Sequence, residues 1–350
     1  MKRLVLAVLA VLVALGVRVL TMPVSTGAAE TSLRVVRGPM HVHSDKSHDG
    51  KRSLETIAKD AQAAGMDLVI VTDHSKSFGP SYYSPEGVLM VAATEMNEND
   101  GHVIHLGDLA IAAHPDSSKA PLSDAAVLAT NGYELLSGSS DFYRTLKSLR
   151  APWLLTYPMR ADVALSTLYP ERALGAERYD RLTQQSSLRL TCGADDHGRI
   201  GSIDRLRTYV TYFPTFIPMR QAEEDARAVQ HHLALGETYC ALGLYGDASP
   251  LSITVSSDSS PIASTGGEHR LPVTLKVRWV GLLPEGHRFY VLKDGKVFKE
   301  SPEPRLDVQL REPGVYRVEL GRDVSTLFGH RHVRWIYANP IFVRAGLAAR

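Results

Sequence analysis

The residues of this chain best suited to chemistry are histidines and carboxylates, and they fall in short clusters. His41 and His43 stand two apart in Pro-Met-His-Val-His-Ser-Asp-Lys-Ser-His-Asp-Gly, residues 39–50. On a strand, residues two apart share a face, so both imidazoles would point the same way. Neutral imidazole is a common ligand for zinc and similar ions, and two on one face make half of a metal site. Taken alone, such a pair is more often a surface or turn feature. Recurrence gives it weight: Asp73-His74, Glu95, His114-Pro115 and Asp195-Asp196-His197 also stand at the ends of apolar runs.

Those runs are of strand length and lie at about 39–43, 67–72, 88–94, 109–113, 133–136, 152–157 and 188–193. The second, Asp-Leu-Val-Ile-Val-Thr, is apolar throughout after its first residue, the pattern of a strand covered on both faces. Between the first two, Leu54, Ile57, Ala58, Ala61 and Ala64 repeat at helical spacing. Ser53 is placed as the N-cap and Gly65 as the stop. Strands alternating with helices imply βα units around a parallel sheet or barrel, whose chemistry collects at the C-terminal strand ends. The spacing predicts one more amphipathic helix over 221–235. From Pro250 the pattern changes to the alternation of half-buried antiparallel strands, with Asp294-Gly295 as a hairpin cue. The Ser- and Gly-rich stretch Asp258–His269 reads as a loop. The expected architecture is α/β over 33–248, followed by a β-sandwich domain of immunoglobulin-like size over 249–346.

Composition narrows the function. With 350 residues, 44% hydrophobic and 22% charged, the chain has room for two domains and no mark of wholesale disorder. A net charge of +1 gives no argument for nucleic acid or an anionic membrane surface. Lys2 and Arg3 precede the uncharged Leu4–Val17, and small residues follow at 26–29. This is the layout of a signal peptide over 1–29, cleaved near 27–29. Arg18 ends the run short of the roughly 20 residues of a full span; a retained anchor is the alternative. The expected address is periplasmic or secreted, with no stable membrane span after cleavage. Cys192 and Cys240 could pair there without amounting to a disulfide framework, and Cys192 reads as a small buried residue.

Six motifs in order carry a resemblance. They are His-Val-His-Ser with Ser-His-Asp-Gly (41–50), Val-Thr-Asp-His (71–74), Thr-Glu-Met-Asn (94–97), Gly-His-Val-Ile-His-Leu-Gly (101–107), Ala-His-Pro (113–115) and Cys-Gly-Ala-Asp-Asp-His (192–197). Together they resemble the polymerase and histidinol phosphatase (PHP) superfamily, metal-dependent hydrolases on a distorted (β/α)7 barrel. The fourth stretch, 101–107, and the closing Ala-Asn-Pro-Ile-Phe-Val (338–343) look most like its secreted, carbaryl-hydrolase-like branch, which carries a β-domain behind the barrel. The resemblance implies two to three divalent ions, zinc, manganese or iron. His41, His43, Glu95 and Asp195 would bind the first. Glu95 would bridge to a second, held by His114 and one of His102 and His105. His74, His197 and either Asp49 or His48 would take the third. A bridging carboxylate holds two cations a few ångströms apart, and the pair activates a bridging water. Glu95 and Asp195 would then be catalytic through that hydroxide. Leu-Leu-Thr-Tyr-Pro (154–158) resembles another His-Pro strand end with Tyr157 in the histidine's place, and on that reading His114 lies outside the cluster.

Around this set, Arg199 and Arg160 follow strand ends and are candidates to hold an anionic substrate. Asp196 reads as pointing away or supporting its neighbours, and Lys76, Tyr82 and Tyr83 as pocket wall. His231, His232, His330 and His332 read as surface residues. The expected function is a secreted metal-dependent hydrolase acting on a small phosphoester. One alternative is a hydrolase of carbamates, esters or amides on the same cluster. Another is a binding protein in which the barrel is scaffold. Clustered acids and imidazoles cost stability without metal, which argues against the scaffold.

Overall fold

A computed structural model describes residues 2–22, 35–98, 100–119, 121–138, 156–157, 159–199, 206–214, 217–257, 260–263 and 265–345. The N-terminal half is a mixed α/β assembly that opens with β1 (Val36–Gly38) and β2 (Met40–Val42). The helix Leu54–Ala63 follows. Ser53 Oγ accepts the Thr56 N–H at its start, Ile57, Ala58 and Ala61 are buried, and Gly65 stops it at φ 73°. The chain then forms β3 (Leu68–Val71), β4 (Tyr82–Tyr83) and β5 (Leu89–Ala92). Strands β2, β3 and β5 run parallel, with β4 antiparallel at the edge of β5. All four residues of β3 are buried, as its unbroken apolar run predicts.

A second sheet contains β6 (Thr94–Glu98), β7 (Gly101–Leu106), β8 (Leu109–Ala112), β9 (Gly132–Ser137) and β10 (Arg189–Gly193). Its first three strands are antiparallel, and β8, β9 and β10 are parallel. The two sheets adjoin at both margins. Strand β5 passes into β6 through Ala93 alone, and residues 74 and 95 bridge there. At the other margin the Ala194 N–H donates to the Met40 carbonyl (2.8 Å) and the His43 N–H to the Asp196 carbonyl (2.9 Å). No closed barrel is formed among the described residues. Of the strand expected at 152–157, only Thr156 and Tyr157 belong to the described residues.

Strand β11 (Tyr209–Phe213), the helix Ala222–Leu235 and β12 (Tyr239–Leu242) lead into the C-terminal strands. These are β13 (Leu251–Ser257), β14 (Ser260–Ala263), β15 (Glu268–Arg270), β16 (Val273–Trp279) and β17 (Arg288–Lys293). After them come β18 (Lys296–Ser301), β19 (Arg305–Leu310), β20 (Gly314–Thr326), β21 (Gly329–Ala338) and β22 (Ile341–Arg344). Burial alternates along β16 and β19, as the sequence pattern requires. Asp294 and Gly295 both take positive φ, 50° and 80°, and turn β17 into β18.

Two features differ from expectation. The stretch Asp258–His269 is not all loop: β14 pairs with β13, and β15 with β22. Edge strands this short can form from polar sequence. The larger difference is at position 248. Strand β12 pairs with β21, so a nine-stranded sheet in the order β1-β11-β12-β21-β20-β17-β18, with β15 and β22 attached, runs across it. The remaining four strands, β14-β13-β16-β19, form a separate sheet. Side chains of both sheets enter one apolar cluster, where the Trp279 and Trp335 ring centroids are 6.0 Å apart.

Cys192 and Cys240 are joined in a disulfide between β10 and β12. The N-terminal residues form the helix Lys2–Thr21, whose last turns pack through Val19 against Val163 and Leu327. No helix among the described residues is long and apolar enough to cross a membrane. The expected cleavage point near 27–29 lies outside the described residues.

Candidate metal centre

Most of the expected ligands converge where the two sheets adjoin. His41 and His43 do point into one site, with ring centroids 5.2 Å apart, but plain strand geometry is not the cause. His41 has φ 62°, and the β2–β3 register shifts between Met40 and Val42. A bulge therefore aims the side chain. His114 (φ 31°) and Asp195 (φ 45°) share this left-handed backbone. Such conformations cost about 1–3 kcal/mol each in a non-glycine residue and persist only where surrounding structure imposes them.

Glu95 is at the centre. Its Oε2 lies 3.2 Å from His41 Nε2, 3.2 Å from His43 Nε2 and 3.4 Å from His74 Nε2. Its Oε1 lies 2.8 Å from His102 Nδ1 and 3.2 Å from His114 Nε2. Asp195 Oδ1 is 3.5 Å from His41 Nε2, 3.7 Å from His43 Nε2 and 3.6 Å from His197 Nδ1. Asp49 Oδ2 approaches His197 Nε2 (2.9 Å) and His74 Nε2 (3.3 Å), while Ser47 Oγ donates to Asp49 Oδ1. Four overlapping groups of metal-ligand type result: His43/Asp49/His74/His197, His41/Glu95/His114, His41/His43/Asp195 and His74/Glu95/His102.

These residues fit divalent ions. Two ligands about 2.1 Å from one tetrahedral ion lie roughly 3.4 Å apart, close to several of the separations above. The buried His41 Nε2, both ring nitrogens of His43, and His114 Nδ1 have no well-formed hydrogen bond. Buried donors and acceptors left unmatched inside a cluster of acids are the expected mark of ligands aimed at a cation.

The electrostatics favour an anionic core. Burial would push the Glu95 carboxyl up, but the nearby His41 imidazole and hydrogen bonds from His102 and His114 hold it well below the usual range. Burial acts the same way on Asp195, and His41, His114 and His197 outweigh it to leave about 2. Asp49 is also lowered: the Ser47 hydrogen bond and His197 overcome its burial. Burial lowers His74 and His197. In His41 burial is overcome by Glu134, Glu95 and Asp195, which raise the imidazole well above its ordinary value.

The open choices take definite positions. His102 faces Glu95, whereas His105 lies on the other face of β7 and pairs with Glu98 (2.6 Å). Asp49 joins the cluster, and His48 is exposed beside the His74 ring (5.1 Å). His114 lies within the cluster. Asp196 turns away and pairs with Arg52, which also holds Asp60 (2.5 Å). Arg199 is exposed two residues beyond His197. Arg160 has other partners: it binds both oxygens of Asp162 and donates to the Met22 carbonyl. Its guanidinium is committed away from the cluster, which removes the reason to assign it to substrate. The Tyr83 hydroxyl bonds Asp225, while His232 pairs with Glu237 and His332 with Asp323.

One residue escaped the sequence reading. Glu134, inside the apolar run of β9, lies 2.8 Å from His41 Nδ1 and accepts the His114 N–H at 2.7 Å. A single acid within an otherwise apolar strand was its only local signal.

The site is thus a cluster of His, Asp and Glu groups that could hold metal. Residues 39–188 match the family model of the PHP domain. The match supports membership of the PHP superfamily, whose members are generally metal-dependent hydrolases. Asp195 and His197 follow the matched stretch. No curated protein matches the chain.

Proposed function

We propose that the protein is an exported metal-dependent phosphoesterase of the carbaryl-hydrolase-like branch, acting on a small anionic substrate with two to three zinc, manganese or iron ions. The observation that carries the reading is the division of Glu95: one oxygen faces His41, His43 and His74, the other His102 and His114. A carboxylate shared in this way suits two adjacent cations. When bound, such ions supply Lewis acidity and an ionised water at neutral pH.

The chain's own residues give the site a direction. His41, His43 and Glu95 are buried, while Asp49, His74, His102 and His197 are partly open to solvent. Substrate therefore approaches on the open side. Lys46, Lys51, Lys76 and Arg199 stand exposed on the same loops that carry Asp49, His74 and His197. Cations there complement the non-bridging oxygens of a phosphoryl group; a carbamate or ester carbonyl brings no comparable charge. The basic and apolar N-terminus, together with the disulfide, supports export to an oxidising compartment. A distorted seven-stranded barrel and an immunoglobulin-like C-terminal sandwich are part of the same proposal, supported by the parallel strands around the ligands and the alternating burial of β16 and β19.

Protein purified without chelators should contain two to three transition ions per chain by elemental analysis. Fewer than one, unrecovered on reconstitution, would sink the proposal. Phosphoester hydrolysis should be inhibited competitively by inorganic phosphate, and Arg199→Ala should raise KM for a phosphoester more than for a neutral ester. A metal-loaded protein that cleaves carbamates or esters, ignores phosphoesters and tolerates millimolar phosphate would make it a carboxyl-type hydrolase instead.

A further inference from the structure

We propose that Glu134 is a positioning residue: one buried carboxylate that orients two ligands, His41 and His114, toward the metal cluster. The inference rests on the metal reading above and concerns how the chain keeps its ligands aimed. Glu134 lies in the middle of β9 with its side chain fully buried. Among the described residues it forms no ion pair with Lys or Arg. Its Oε1 lies 2.8 Å from His41 Nδ1, and its Oε2 accepts the backbone N–H of His114 at 2.7 Å.

Each contact settles one freedom. An ionised carboxylate only accepts hydrogen bonds, so His41 must carry a proton on Nδ1. Its Nε2 is then turned to Glu95 Oε2 (3.2 Å) and Asp195 Oδ1 (3.5 Å). The bond made by one ring nitrogen decides which nitrogen meets a metal. For His114 the fixed group is the backbone. With φ at 31°, the residue is in a conformation that a side chain disfavours, and the bond from its own amide to Glu134 helps to hold it there. His41 is strained likewise at φ 62°. The same carboxylate thus secures two left-handed ligand residues brought from different strands.

The neighbouring strand leaves room for this arrangement. A Cβ added at Gly193 in β10 would lie 1.7 Å from Glu134 Oε1 and 2.7 Å from His41 Cβ. Only glycine admits the Glu134–His41 pair at this distance. Gly193→Ala therefore displaces the pair without altering any charge, and supplies a test independent of Glu134 itself.

Glu134→Gln is the sharper variant, because both partners are donors and an amide has one accepting oxygen. It can satisfy His41 or His114, but not both. The experiment uses the full chain labelled with 15N-histidine, with the His41 signals assigned by their loss in His41→Asn. In metal-free wild type, His41 Nδ1 should carry a slowly exchanging, downfield proton that is lost or shifted in Glu134→Gln. Competition with a chromogenic chelator should show zinc affinity weakened about 10–100-fold in Glu134→Gln and Gly193→Ala. Glu134→Asp, which retains both accepting oxygens, should recover part of it. Wild-type affinity in Glu134→Gln overturns the inference, as does a wild-type His41 protonated on Nε2 with Nδ1 bare. If Glu134→Gln fails to fold, the wild-type spectrum decides. A wild type that takes up no zinc overturns the metal reading instead, and the Nδ1 proton still shows whether Glu134 orients His41.

Discussion

Five imidazole nitrogens lie within 3.4 Å of the two oxygens of Glu95. No other side chain of the cluster is asked to serve so many partners. Glu95→Gln keeps the shape but removes the charge and one acceptor. We expect it to lose at least one ion per chain and more than tenfold in turnover, since even supporting changes around a metal cost about 10–100-fold. Unchanged metal content and rate would remove Glu95 from the centre. The two histidines of β7 make a paired test. His102→Ala should weaken metal retention at Glu95, whereas His105→Ala, which disturbs only a half-exposed pair with Glu98, should stay within about twofold of wild type. Equal effects would mean that strand alternation does not separate them.

At the scale of elements, β10 matters most because it runs directly into Asp195. One edge of it pairs with β9. At Leu190 the other edge is met by a side chain: Asn339 Oδ1 accepts the Leu190 N–H (2.7 Å), and Asn339 Nδ2 donates to the Leu190 carbonyl (2.9 Å) and the Thr238 carbonyl (3.1 Å). The amide stands in for a strand residue. Asn339→Ala would leave buried backbone groups unmatched and should cost about 2–3 kcal/mol, seen as a lower urea midpoint at unchanged slope. A midpoint within experimental error of wild type would show that water replaces the amide.

The molecule as a whole is tied together by ions as well as by the sheet that crosses position 248. Arg317 bonds Asp180 (2.6 Å) and Glu319 (2.6 Å), and Arg172 (2.9 Å) and Arg334 (3.1 Å) also reach Glu319. The network joins the helix Ala176–Thr183 to β20 and β21. Burial would raise the Glu319 carboxyl, but Arg317, Arg172 and Arg334 hold it below its ordinary value. A carboxylate depressed in the folded state contributes stability above its unfolded pKa of about 4.3, and that stability is lost as pH falls through the folded value. Thermal midpoints should therefore drop on acidification below about pH 4.5. Glu319→Gln should cost about 3–5 kcal/mol at neutral pH by leaving buried guanidinium groups unpaired, and should flatten the acid limb. An acid limb of unchanged slope in the variant would assign it to other carboxylates.

How much of this was legible beforehand depends on the range of the interaction. Ser53, the Leu54–Ala64 spacing and Gly65 mark a helix because capping and side-chain contacts act over three or four residues. Asp294-Gly295 marks a hairpin for a similar local reason, since both residues must tolerate positive φ. The ligand clusters at 41–43, 73–74, 95, 114 and 195–197 were visible because polar residues recur where apolar runs end, although the left-handed turns that aim His41, His114 and Asp195 were not. Other features depended on contacts that leave no local trace. His102 and His105 differ only in which face of β7 meets Glu95, and Asp49 differs from His48 only in how its loop turns. Glu134 sits in an apolar run, and its importance appears only when β2 and the His114 loop close over it. The joining of β12 to β21 pairs Tyr239 with Ala338. The sequence by itself determined which residue types and elements were available for a metal site. Only the tertiary structure decided which of them meet, because bonds between distant strands are selected by packing and not by neighbours in the chain.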